Sequence, residues 1–374
     1  MPLVQLALSS TLLFAPQVPP PPVTTVRVVY QEPRGRIEWF RGSFEELLAE
    51  SAQSERIVFL DFYSRSNPYS RKLEKTTYVA APVLAQLEKV LCFSVDTDSK
   101  DSKPLRKRYQ VQSSPALVFL DPDGNLRDHL SGYYGPERFT LELVRIQENR
   151  GTLSDLRARI AKDPGDLDAR WAMACKLREV GDLFGSEAEL AEIRERDREG
   201  NSLASRRIVL AELYARATAS LDLEPLYAFV EKMKEPVLLF ECWWKIWELE
   251  GQAARSASDL EEARRHELRY FAAARQLWPL VPKEQIGSIG NNIAWYIYES
   301  RASASRADLE FALSVAEKAV AASPDVPAVV DTLACCLFVL GKKEEALAQV
   351  RRCIELDPEN PTWRERLAEF ESQR

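Results

Sequence analysis

Few residues in this chain have the type and spacing to do chemistry. Only two histidines occur, His129 and His266, far apart in sequence, so a multi-histidine metal site lacks its ligands and neither metal nor cofactor is expected. The six cysteines (Cys92, Cys175, Cys242, Cys335, Cys336 and Cys353) show no C-x-x-C spacing and lie mostly in apolar stretches, where a thiol packs as a small hydrophobe. Asp61 is the one ionisable residue in the apolar run 57–63. Shortly after it comes Ser66-Asn67-Pro68-Tyr69-Ser70, where Asn67 reads as a helix N-cap and Pro68 as the first helical position. An amide is no nucleophile, and Ser70 has no histidine or lysine beside it to act as base, so no catalytic residue is assigned. With 57 acids some carboxylate pairs are unavoidable, and none is singled out as an acid–base site.

The bulk properties narrow the partners. Lysine plus arginine is 50 against 57 acids, a net charge of −7 without a dense basic stretch, and nucleic acid is not expected to bind. A length of 374 residues suggests two or three domains, and no apolar run is long enough to cross a bilayer. Residues 1–35 read as an apolar leader, 3–15, and a proline-rich linker, 16–22. The leader lacks a basic start, and Leu13-Phe14-Ala15 is a poor cleavage site. If residues 1–15 act as a signal peptide, the protein belongs to the cell envelope or periplasm or is secreted; otherwise it is cytoplasmic.

From 36 to 150 strand and helix signals alternate. A short strand is expected at 37–40, then a helix at 44–52 with Ser43 and Glu46 as a capping box. The apolar run 57–63 reads as a central strand buried on both faces. A helix opens at Pro68, strands follow at 90–95 and 116–120, and Asp121-Pro122-Asp123-Gly124 turns the chain into a strand at 126–130. A helix beginning at Pro136 ends the segment.

In order and spacing, Asp61-Phe62-Tyr63, Asp96 and Asp98, Tyr109-Gln110-Val111, Pro115, the run 117–121, Gly124 and Gly132-Tyr133 resemble a bacterial thioredoxin-fold subfamily. The resemblance implies a buried acid at Asp61 and a C-x-x-C at the start of the helix after the central strand. Here Asn67 and Ser70 stand where the cysteines would, with Pro68 and Tyr69 between them. Thiol–disulfide exchange needs one thiolate to attack and a second to resolve, and neither is present. The resemblance further implies a cis bond before Pro115, and a client segment that pairs with the backbone of Ser114 by β-augmentation. Arg65, Arg71 and Lys72 around the Asn67 helix start suggest a weak anion site, more simply read as solvated charge.

Beyond residue 150 strand signals vanish. Pro324 and Pro358 lie 34 residues apart. Between them Leu333, Ala334, Gly341, Ala346 and Cys353 fall where two stacked helices need small or apolar residues, a pattern that resembles the tetratricopeptide repeat. The clearest repeats are 287–324 and 327–360, degenerate ones start near Pro236 and Leu167, and 362–373 reads as a capping helix. The resemblance implies that the concave groove is lined by Asn291, Trp295, Tyr298, Asp331, Cys335 and Phe338, while Trp243, Trp244 and Trp247 read as core.

The expected architecture is thus a leader and linker at 1–35, an α/β thioredoxin fold at 36–150 and an all-α tetratricopeptide superhelix at 151–374. The leading functional expectation is a redox-inactive interaction protein, an adaptor or assembly factor whose partners are protein or peptide clients. The alternative is a protein related to thiol–disulfide oxidoreductases whose redox activity is displaced or lost.

Overall fold

The computed structural model describes residues 36–372, so the expected leader and linker, and residue 373 of the expected capping helix, lie outside the described residues. The chain divides into two compact units, Met1–Ala204 and Ser205–Arg374. The first unit joins the sheet domain expected at 36–150 to the helices that follow it.

Within the first unit, α1 (Phe44–Ser54) begins at the capping box: Glu46 N–H donates to Ser43 Oγ, and Ser43 N–H donates to the Glu46 carboxylate. β1 (Val58–Tyr63) is buried at every position, and α2 (Pro68–Lys72) runs into a single π turn, Leu73–Thr77, that keeps Leu73 and Thr77 inside. Then follow α3 (Ala81–Leu87), β2 (Leu91–Asp96), α4 (Lys103–Arg108), β3 (Ala116–Leu120), β4 (Leu126–Ser131) and α5 (Pro136–Gln147). The sheet order is β2-β1-β3-β4, with β1 parallel to β2 and antiparallel to β3, and β4 antiparallel to β3. Side chains alternate between its faces, so Phe59, Cys92, Leu117 and Phe119 build one core while Val58, Leu60, Phe62, Phe93 and Val118 build the other. The strand expected at 37–40 is reduced to one bridge, Trp39 to Cys92. Ile37 and Trp39 are buried on alternate positions, but Gly42 and the Ser43 cap end the run before a ladder forms.

The first unit continues with α6 (Leu153–Lys162), α7 (Leu167–Glu179) and α8 (Leu183–Arg196). Asp128 of β4 is wholly buried, and its carboxylate accepts from Arg145 Nη2 at 2.6 Å and from Lys176 Nζ of α7 at 3.0 Å. Leu153, Leu156, Ala169 and Met173 close over Leu126. The first helical layer is therefore fastened to the sheet.

The helix α9 (Leu203–Ser220) spans the division between the units. The second unit holds α10 (Glu224–Val230), α11 (Pro236–Ser256), α12 (Leu260–Leu277), α13 (Ile286–Glu299), α14 (Arg306–Ala322), α15 (Pro327–Val339), α16 (Lys343–Leu356) and α17 (Pro361–Ser372). The tetratricopeptide-like pairs are α7 with α8 in the first unit, and α11 with α12, α13 with α14 and α15 with α16 in the second. Gly181 and Gly341 sit at matching turns with φ of 84° and 80°, a backbone that residues with a Cβ rarely adopt. Trp247 packs on Tyr270, which packs on Tyr296, so that tryptophan is a core residue as its spacing implies.

Candidate functional site

The candidate site forms where the chain leaves β1. Asn67 caps α2, its Oδ1 accepting from Tyr69 N–H at 2.8 Å and from Ser70 N–H at 3.3 Å. Its other end reaches across the fold, where Nδ2–H donates to the Ser114 carbonyl at 2.6 Å. The Ser114–Pro115 bond is cis. One of the two backbone groups of Ser114, its carbonyl, is therefore already held by the amide standing in the first cysteine position. Ser114 N–H, in contrast, has no acceptor among the described residues.

Around this clamp the loop is tied by hydroxyls. Ser64 Oγ donates to Asp98 Oδ2 at 2.9 Å and lies 2.8 Å from Ser66 Oγ, and the same Asp98 oxygen accepts from Arg65 N–H. Ser70 is buried, and its Oγ accepts from Ser64 N–H at 3.4 Å. Arg71 donates to the carbonyls of Arg65 and Ser66, and Lys72 lies 4.4 Å above the Tyr133 ring. Two of the three cations considered for an anion site thus serve the domain's own loop and ring. A polar hollow of about 310 Å³ remains, bordered by Ser64, Asn67, Asp98, Ser114, Arg106 and Gln112. Asp61 lies wholly buried, opposite Ser94 on one side and Leu117 on the other.

Five of the six cysteines are buried. Cys92 is buried in β2, and burial pushes its thiol far above the usual range. Burial likewise raises Cys242, Cys335 and Cys353 to about 12, which keeps them protonated near neutrality. Cys175 is the one exposed cysteine, and it stands on α7, outside the sheet domain.

The second expected site, the concave groove of the helical repeats, needs correction. Asp331 is buried and its two oxygens accept from Arg366 of α17 at 3.2 and 3.3 Å; burial raises its pKa against the pull of that guanidinium. Phe338 stacks on Phe370 of the same helix, centroids 3.9 Å apart. Tyr298 is buried beside Cys335, its pKa pushed up by burial to about 12. Two of these groove positions, Asp331 and Phe338, are thus occupied by α17, which covers an apolar face of the repeat before it. Asn291 and Trp295 are half-buried, with Trp295 5.5 Å from the Tyr298 ring and Asn291 Oδ1 enclosed without a hydrogen-bond partner.

Sequence reasoning missed Arg106 and Gln112, which border the hollow, and Leu183 and Phe184, which open α8. Their signal was faint: 103–108 holds four cations and no acid, and two adjacent apolar residues follow a cap, Asp182.

The sheet order, the cis proline and the capped helix after the central strand define a thioredoxin-like domain, and residues 44–147 match the family model of that name. Among curated relatives, the thiol:disulfide interchange protein DsbD of Ralstonia nicotianae is 30% identical over 104 residues, 27% of this chain and 17% of that protein. Thiol:disulfide interchange protein DsbD 2 of Pseudomonas aeruginosa is 33% identical over 82 residues, 21% of this chain and 14% of its own. The match thus spans about a sixth of the length of these relatives. Among solved structures, a thioredoxin from Thermus thermophilus is 24% identical, with 30% of this chain and 85% of that one covered and a TM-score of 0.25. A thermophilic TPR protein, also from Thermus thermophilus, is 15% identical, covering 62% of this chain and 93% of its own, with a TM-score of 0.28.

Proposed function

We propose that this protein binds extended protein segments without thiol–disulfide chemistry, as an adaptor or assembly factor. The observation that carries the reading is Asn67: the residue in the place of a nucleophilic thiol is spent as a helix cap and as a clamp on Ser114. With Ser70 buried in the same network, neither position offers an atom that could attack sulfur. The name of the curated relatives speaks of thiol:disulfide interchange, and that activity is not carried over, because the residues that would perform it are absent from this site. What supports binding is the open polar hollow and the Ser114 N–H, which donates to no group of the described residues and is available to a client carbonyl.

The test uses purified full-length protein. Insulin reduction by dithiothreitol is expected to run at its uncatalysed rate in the presence of the protein. An unfolded, carboxymethylated polypeptide, which has no thiols, is expected to bind, and Pro115→Thr, once shown to be folded by circular dichroism, to bind it more weakly. Catalysed insulin reduction, or the absence of any binding to the carboxymethylated chain, overturns the reading.

A further inference from the structure

Beside the polar hollow, and sharing Arg106 and Gln112 with it, lies a groove of about 540 Å³ between α4 and the turn that opens α8. Lys103, Arg106 and Lys107 line it, and Leu183 and Phe184 stand across from them. In a chain with net charge −7 this cluster of cations is a local inversion. Among the described residues none of the three has an acidic partner. Arg106 goes further: its Nε is shut off from solvent and donates to nothing. A desolvated guanidinium N–H without an acceptor is unfavourable, and a carboxylate approaching edge-on would satisfy it with a paired, charge-assisted hydrogen bond. The acid on the rim, Asp182, is occupied as the cap of α8, accepting from Gly185 N–H at 2.8 Å. In the adjoining hollow Asp98 is held by Ser64 and Arg65.

The opposite wall supplies a different recognition element. Leu183 is 66% exposed and Phe184 89% exposed, adjacent on the first turn of α8. Their position is fixed by the Gly181 turn, where a Cβ would sit 3.5 Å from Gln112 on the facing wall. A large aromatic side chain left in water is an anchor for an apolar group, and cations opposite it select for acids in the same segment.

We infer that this groove receives an acidic polypeptide segment carrying an aromatic or aliphatic side chain, with Arg106 taking a carboxylate and Phe184 and Leu183 the apolar group. The inference names a partner chemistry and a surface; it rests on the proposed function only in taking the partner to be polypeptide.

The test is fluorescence anisotropy with the full-length protein and a labelled peptide of glutamates around a single phenylalanine. Binding is expected, weakening as salt rises because exposed charges are screened within about 10 Å at 0.1 M. Arg106→Gln, Phe184→Ser and the double variant Lys103→Glu/Lys107→Glu are each expected to weaken it about tenfold. A peptide with glutamine for glutamate, or serine for phenylalanine, is expected to lose a similar factor. Wild-type protein that does not bind the peptide, variants that bind it unchanged, or heparin binding as tightly as the peptide would each overturn the inference, the last by showing an unspecific polyanion patch. Phe184, Lys103 and Lys107 are exposed, so an unchanged melting temperature in either of those two variants suffices to read the result even where Arg106→Gln is destabilised. If the carboxymethylated polypeptide still binds while the acidic peptide does not, this inference fails and the proposed function stands.

Discussion

At the scale of single residues, the proposed binding role rests on Asn67 and Ser70, and both can be replaced. Asn67 sits at a helix N-terminus, where the backbone N–H groups stabilise a thiolate, and Ser70 is the buried partner one turn on. Asn67→Cys/Ser70→Cys is therefore expected to reduce insulin measurably faster than the wild type does. An inactive variant with two titratable, reducible thiols would mean that the surrounding geometry, and not only the residue types, has left redox chemistry behind. His129 offers a second test. It is 4% exposed, and burial lowers its pKa to about 4, with Asp128 working against the shift and Lys176 with it. The unfolded chain titrates near the usual value of about 6.5, so between 6.5 and 4 it binds more protons than the native one and stability falls as pH falls. The loss by pH 5 is on the order of 2 kcal/mol, and a folded His129→Leu variant is expected to show a correspondingly flatter profile in urea titrations at pH 7 and pH 5. The capping role of Asn67 was legible in the sequence because a cap is a local event. Its bond to Ser114 was not, since it joins positions 47 residues apart that only the closed sheet brings together.

At the scale of elements, α17 shows the limit of reading a repeat by its period. Register assigns Asp331, Tyr298 and Phe338 to one face of the repeats, but it does not say what covers that face. Arg366 and Phe370, one helical turn apart, meet Asp331 and Phe338. Removing Arg366 leaves a buried carboxylate uncompensated, so Arg366→Ala is expected to cost about 3 kcal/mol, and Asp331→Asn in the same chain to recover part of it. Phe370 is wholly buried, and Phe370→Ala is expected to cost about 3 to 5 kcal/mol and to raise hydrogen exchange in α15 and α17 before the rest of the second unit. Exchange that rises uniformly would mean that α17 is part of one cooperative block and not a separable cover. The strands, the capped α1 and the four helix pairs were legible because each repeats a local pattern at its own period. The short segment before α1 was overread because two buried residues imitate a strand without the length to form a ladder.

At the scale of the whole molecule, strand signals give way to helix signals near 150, the compact first unit runs on to 204, and Asp128 is one of the ties across that change. Its carboxylate lies inside the sheet domain, yet one of its two cations, Lys176, belongs to α7, and Leu153 N–H also points at it at 3.4 Å. A chain ending at 150 would keep the Arg145 contact, lose Lys176, and open Leu126 to water where Leu153, Leu156 and Met173 now cover it. Breaking a buried ion pair costs roughly 3 to 5 kcal/mol and each uncovered aliphatic side chain about 1.5 to 3, against a total of about 5 to 15 for an ordinary domain. Fragment 36–204 is therefore expected to unfold in urea as a single cooperative transition. Fragment 36–150 is expected to unfold at a clearly lower midpoint, and Asp128→Asn to destabilise the long fragment more than the short one, which has already lost Lys176. Equal midpoints for the two fragments would mean that the seam at α6 and α7 is a contact without energetic weight. In that case the first helices would belong, for stability if not for packing, with the repeats that follow them.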